Sequence, residues 1–273
     1  MCGRTSCCLC REVYQHAANY FDDKLGKYVK PYWNEVSNNG LKFQPSTNIA
    51  PTDVTPVLIS GARIDSRPTE QVLQPMMWGL IPPWHKGDYR THKLTTNNCR
   101  IEGLMKSKLY RPSLDHGKRC VVLCEGFYEW QKTKGSKQPY FIYSHQNTGF
   151  KMEDKLSWVG AEWTEDKGWM GPHLLYMAGI YGTWESSEGE IIYSYSIITM
   201  DSNESFGWIH ERMPAILSSP EQIQGWLDYE RVSPGEAVSL LEPVKVLSWY
   251  PVSTLVNNSR NKDPTCIKPI QLK

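Results

Sequence analysis

The chain has 273 residues, with 30 Lys and Arg against 29 Asp and Glu, so its net charge is only +1. With 40% hydrophobic and 22% charged residues it is neither a wholly disordered chain nor, lacking any apolar run near ~18 residues, a helical membrane protein. Eight Cys are too sparse for a small disulfide scaffold, although four of them fall in the first ten residues.

In chain order, the opening MCGRTSCCLC lacks the long apolar core of a secretory signal, which implies an intracellular protein with its cysteines as thiols. Arg11–Phe21 has helical character. Strand-like runs follow at Val54–Ser60, Cys120–Cys124, Pro139–Ser144, Leu174–Tyr181, Ile191–Met200 and Val244–Trp249. In Ile191–Met200, Tyr193, Tyr195 and Ile197 alternate with Ser194 and Ser196, the period-2 pattern of a strand with one buried face. Ser219-Pro220-Glu221-Gln222 and Ser233-Pro234-Gly235-Glu236 carry capping-box signals with Pro at the first helical position. Residues after Asn257 look polar and irregular. Strands dominate, and the absence of repeats or a Gly/Ser linker predicts one β-rich α+β domain over 1–273 with a few peripheral helices.

Charge is unevenly placed. Lys86–Lys137 holds twelve basic and five acidic residues, so this span is +7 and the remainder −6. Interspersed aromatics (Trp84, Tyr89, Tyr110, Phe127, Tyr128, Trp130) would suit a surface that tracks a nucleic-acid backbone and stacks on bases; a solvated face is the bland alternative.

Cys7 and Cys10 form a C-x-x-C and Cys120 and Cys124 a C-x-x-x-C. A zinc site from the four is conceivable, but the second pair lies in a buried-strand pattern where Cys serves as a small core residue, and no metal or cofactor is expected.

Position 2 is the sharpest chemical lead. Initiator Met is removed when a small residue follows, which would leave Cys2 with a free α-amine beside its thiol. About a tenth of such an amine is neutral at pH 7. A 1,2-aminothiol condenses with an aldehyde to a Schiff base, which the thiol closes to a thiazolidine; alternatively Cys2 is an N-terminal nucleophile with its own amine as base. From position alone it is an ordinary second residue. Gly3 permits close backbone approach, and Arg4 can pair with a phosphate.

Proton-transfer partners are available. Glu129, among aromatics just after an apolar strand, is a candidate general acid, and otherwise an exposed loop carboxylate. His210, flanked by apolar residues and an Arg, is a candidate acid or base, and otherwise a structural histidine. Asn98 can position a polar group. Met77–Trp84 places two Trp around a Pro-rich turn, one for the core and one available as a rigid stacking platform.

Seven ordered segments carry a resemblance: Met1-Cys2-Gly3-Arg4, Asn48-Ile49-Ala50-Pro51, Trp78-Gly79-Leu80-Ile81-Pro82, Asn98-Cys99-Arg100, Glu125-Gly126-Phe127-Tyr128-Glu129-Trp130, Ile209-His210-Glu211-Arg212-Met213-Pro214 and Pro251-Val252-Ser253. Together, over nearly the whole chain, they resemble the SRAP ("SOS response-associated peptidase") family. The resemblance implies a single β-rich α+β fold and a sensor and shield of abasic sites in single-stranded DNA, crosslinked through Cys2. It implies that Asn98 holds the N-terminus and that Glu129 and His210 assist proton transfers. It further implies phosphate contacts from Arg4, Arg100 and Arg212, close approach at Gly3, and a base-facing wedge of Asn48, Pro51 and Trp84. A nuclear, monomeric protein without a membrane partner is expected; partner motifs for the replication machinery cannot be inferred. The alternatives are a cysteine (auto)peptidase and a non-covalent reader of modified cytosine.

Overall fold

The computed structural model describes residues 2–36, 38–64, 71–133, 135–146 and 149–272. Met1, whose removal is expected above, and Lys134 of the basic span lie outside the described residues.

Val54–Ser60 pairs with Gln71–Trp78 and with Arg119–Cys124, which pairs with Leu175–Glu185, which pairs with Ile191–Asp201. Ile191–Asp201 returns to Gln71–Trp78 through the parallel pairs Ser194–Met77 and Tyr195–Trp78, closing a ring of five strands into a small barrel. Asn98–Arg100 adds in parallel to Ile191–Asp201, and Arg212–Pro214 adds antiparallel. A second sheet runs in the order Leu247–Pro251, Ser136–Ser144, Gly126–Thr133, Thr5–Cys7, Ser46–Ile49. Side chains such as Trp78, Tyr195, Phe127 and Phe141 are fully buried in the core. The fold is β-rich with a few short helices, as the composition of predicted elements implies.

The chain crosses from barrel to second sheet at Glu125-Gly126. Gly126 is required there, because a Cβ would collide with the Phe141 ring and the Ile142 carbonyl. Both predicted serine caps form: Ser219 opens Pro220–Leu227 and Ser233 opens Pro234–Ser239 with a complete capping box. At the first, Gln222 reaches back to the Ser218 N–H instead of to Ser219.

Several expectations need correction. The first helix stops at Ala17, and Tyr20–Asp22 instead pairs with Lys27–Val29 in a hairpin. The last strand is Leu247–Pro251, shifted because its partner ends at Ser144, opposite Leu247, leaving Val244–Val246 nothing to pair with. Ile191–Asp201 is buried on both faces: Ser194 accepts the Ile81 N–H at 2.9 Å and Ser196 donates to the Thr96 carbonyl, so small polar residues let two loops dock. The segment after Asn257 is not irregular throughout: it forms the 3-10 turn Pro264–Ile267, with Cys266 and Ile267 buried. The basic span is not one surface: Arg119 is 2% exposed beneath Trp226, and Phe127 and Tyr128 are core residues. Among the described residues no helix is long and apolar enough to cross a membrane, and no group of three or more His, Cys, Asp or Glu side chains converges as a metal site.

Candidate functional site

The strand Thr5–Cys7 is held between Ser46–Ile49 and Gly126–Thr133. A fully buried carboxylate fixes its far end. Glu125 accepts the Cys8 N–H at 2.9 Å, the Cys8 thiol at 2.8 Å and the Tyr14 hydroxyl at 2.8 Å. At the near end the Tyr128 N–H donates to the Arg4 carbonyl at 2.9 Å. Residues 2 and 3 therefore leave the sheet in a set direction, alongside Glu129.

Cys2 is 1% exposed. Its carbonyl accepts from Asn98 Nδ2 at 2.6 Å and from Asn97 Nδ2 at 3.4 Å. Burial pushes its thiol well above the ordinary range, and the nearby negative charge of Glu129 pushes it further; the Arg4 N–H pulls the other way. Neutral sulfur is thus the resting form. Asn98 begins the short strand paired with Ile197, and the Tyr110 hydroxyl donates to its carbonyl at 3.2 Å. Trp78 Nε1 fastens the Asn97 carbonyl at 2.9 Å. Asn98 Oδ1 is buried and, among the described residues, accepts no hydrogen bond.

Glu129 is neither in a loop nor at a strand end. It sits inside Gly126–Thr133, opposite Tyr140, and is 3% exposed. His210 arrives on the loop joining Ile191–Asp201 to Arg212–Pro214. Phe206 packs on Phe127 (ring centroids 5.9 Å) and Trp208 edges onto Tyr140 at 5.1 Å, so this loop lies across Glu129's strand and its neighbour. The Arg212 N–H donates to His210 Nδ1 at 2.9 Å, leaving Nε2 as the proton-bearing nitrogen of the neutral ring.

The residues expected to touch a ligand divide. Trp84 is 56% exposed, Arg100 is exposed, and Gly3 and Pro51 are half-buried. Pro51 sits in a turn whose Thr52 has φ +80° and donates its N–H to the Trp78 carbonyl. Asn48 is 0% exposed. Its amide nitrogen donates to the carbonyls of Asn258 and Asn261, at 3.0 and 2.8 Å. Arg4 donates to Asn48 Oδ1 at 3.0 Å and to the Val256 and Asn257 carbonyls, at 2.7 and 3.1 Å, tying the N-terminus to the C-terminal segment. Arg212 is 6% exposed and held by carboxylates. Sequence reasoning missed Asn97, Tyr110, Glu125 and Tyr14. The Asn97-Asn98 doublet was a visible signal; the others act through partners remote in sequence.

The model of the family described as SOS response associated peptidase (SRAP) matches residues 1–259. The abasic site processing protein HMCES of Xenopus tropicalis is 42% identical over 276 residues, covering 100% of this chain and 79% of that protein. The abasic site processing protein YoqW of Bacillus subtilis is 31% identical over 229 residues, covering 83% and 87% of the two chains. A solved structure from Bacteroides thetaiotaomicron shares the fold with a TM-score of 0.71 at 23% identity, over 99% of this chain and 100% of that one.

Proposed function

The chain belongs to the SRAP family, and from that membership we propose that it captures abasic sites in single-stranded DNA covalently, through Cys2. Relatives at 42% and 31% identity are named abasic site processing proteins. The observation that carries the reading is the buried Cys2, its carbonyl gripped by Asn98 at 2.6 Å, with the charge of Glu129 near enough to act on its thiol.

Removal of Met1 gives Cys2 an α-amine with a reference pKa of about 7.7–8.0. An abasic deoxyribose is in equilibrium with a ring-opened aldehyde at C1′. The Glu129 carboxylate takes the proton of the C1′ hydroxyl and delivers it to the ring oxygen, which favours the open form. The neutral amine attacks C1′, and its two protons leave with the carbonyl oxygen as water, relayed by Glu129 while His210 Nε2–H donates a hydrogen bond to the departing hydroxyl, forming the Schiff base. The sulfur then adds to the imine carbon and its proton passes to the imine nitrogen, with Glu129 as carrier. One aldehyde and one aminothiol give one thiazolidine and one water. Ring closure removes the imine that would otherwise drive β-elimination of the 3′ phosphate. The exposed Arg100 contacts a flanking phosphate, and Trp84 and Pro51 face the neighbouring bases. Arg4 and Asn48 serve by bracing the N-terminal segment.

Denaturing electrophoresis after incubation with an abasic single-stranded oligonucleotide tests this. A stable shifted band is expected with the unsubstituted protein and none with Cys2→Ala; a band that survives Cys2→Ala overturns the assignment.

A further inference from the structure

The geometry points to Glu102 and Asp201 as positioning residues that orient the His210 imidazole through Arg212. The inference rests on the reading of His210 as a proton-transfer residue and names what sets its orientation.

Both terminal nitrogens of the Arg212 guanidinium are engaged, while its buried Nε has no hydrogen-bond partner among the described residues. Nη1 lies 2.6 Å from Glu102 Oε1 and 2.6 Å from Asp201 Oδ1. Nη2 lies 3.1 Å from Glu102 Oε2 and 2.8 Å from the Thr199 carbonyl. A cation with a 7% exposed side chain needs such partners, because an unpaired buried charge is costly. The same residue's backbone N–H is the donor to His210 Nδ1 at 2.9 Å. Whatever fixes Arg212 therefore fixes the aim of that N–H, and with it the ring nitrogen that carries the proton.

The clamp sits at the mouth of the loop. Asp201 and Arg212 are the last register pair between their strands, and the next bond is Ser202 N–H to the Glu211 carbonyl at 2.9 Å. The residues between carry Phe206, Trp208 and His210. Glu102 adds a second tie. It lies on Ile101–Leu104, the short helix that directly follows the Asn98–Arg100 strand. One guanidinium thus joins the segment that grips Cys2 to the loop that presents His210. Arg212 in turn holds the Glu102 carboxyl below the usual carboxylate range, so the clamp is charged at neutral pH.

Glu102→Gln and Asp201→Asn keep shape and remove one charge each, on side chains that are 51% and 85% exposed, so either variant can be compared with the parent as a folded protein. In long-range proton–nitrogen spectra of 15N-labelled protein, the neutral His210 ring is expected to show an unprotonated Nδ1. Each variant is expected to show a mixture of tautomers, and Glu102→Asp to restore the parent signature. Adduct formation with an abasic oligonucleotide is expected to slow at least fivefold in either variant, with no further slowing when the change is added to His210→Gln. An unchanged His210 signature in both variants, or equal slowing in the His210→Gln background, would overturn the positioning role. Parent-rate adduct formation by His210→Gln overturns the catalytic reading instead, while the nitrogen spectra still decide the clamp.

Discussion

Asn98 donates its side-chain amide to the carbonyl of Cys2 at 2.6 Å, across 96 residues of sequence. A strand of three residues therefore fixes where the N-terminus of the chain stops. Loss of one hydrogen bond removes about 0.5–1.5 kcal/mol of net stabilisation. Asn98→Ala is expected to slow single-turnover adduct formation roughly three- to tenfold if that energy is lost from the reactive geometry. Affinity for an intact single strand should hold within about twofold, since the bond is internal to the protein. Rapid-quench time courses alongside equilibrium binding separate the two.

Glu129 acts on both the sugar and the sulfur. General acid–base groups contribute roughly 10²–10⁴-fold, so Glu129→Gln is expected to slow adduct formation about a hundredfold or more without weakening binding to intact DNA. Its negative charge also raises the Cys2 thiol. Removing that charge lowers the thiol pKa, so alkylation of Cys2 should begin at a lower pH in the variant. Alkylation followed by peptide mass analysis across a pH series reads the shift directly.

Two tryptophans six residues apart have opposite duties. Trp78 is 0% exposed and stacks on Tyr195, whereas Trp84 is 56% exposed. Trp78→Ala should cost about 3–5 kcal/mol of stability through the cavity it leaves. Trp84→Ala should leave the melting temperature nearly unchanged and weaken single-strand binding by about 1–3 kcal/mol. Thermal melts and binding isotherms of the two variants are expected to show a crossed pattern.

Buried thiols set an alkaline limit. Burial and the charge of Glu102 push Cys99 up to about 12, and burial raises Cys120 and Cys124 as well. The unfolded chain releases these protons near pH 8.5 while the folded one retains them. Stability is therefore fully present below that pH and falls as pH rises toward 12, by about 1.4 kcal/mol per unit for each thiol. Melting temperatures measured from pH 7 to 10 should fall, and Cys99→Ala should flatten the slope.

Local signals were readable in the sequence where their cause was local. Val54–Ser60 and the serine caps of Pro220–Leu227 and Pro234–Ser239 depend on neighbouring residues and form as expected. The site was readable as a set of residue types, because an aminothiol, an amide, a carboxylate and an imidazole each announce their chemistry. What each polar side chain is bonded to was not. Asn48, expected to face a base, has an Nδ2 that donates to the Asn258 carbonyl, 210 residues away. Arg212, expected to meet a phosphate, also has a guanidinium that reaches Glu102, 110 residues away. Glu129 was misplaced for a related reason. The corner at Gly126 starts a new strand, and the close approach of Phe141 that forces glycine there comes from the next strand.

The most direct test of covalent capture through Cys2 is the intact mass of the protein after reaction with an abasic oligonucleotide. The account predicts a product equal to the chain beginning at Cys2 plus the oligonucleotide, less one water, with no such product from Cys2→Ala. An adduct of the reacting chain plus the oligonucleotide less one water, formed equally by Cys2→Ala or by a chain that still carries Met1, would contradict it.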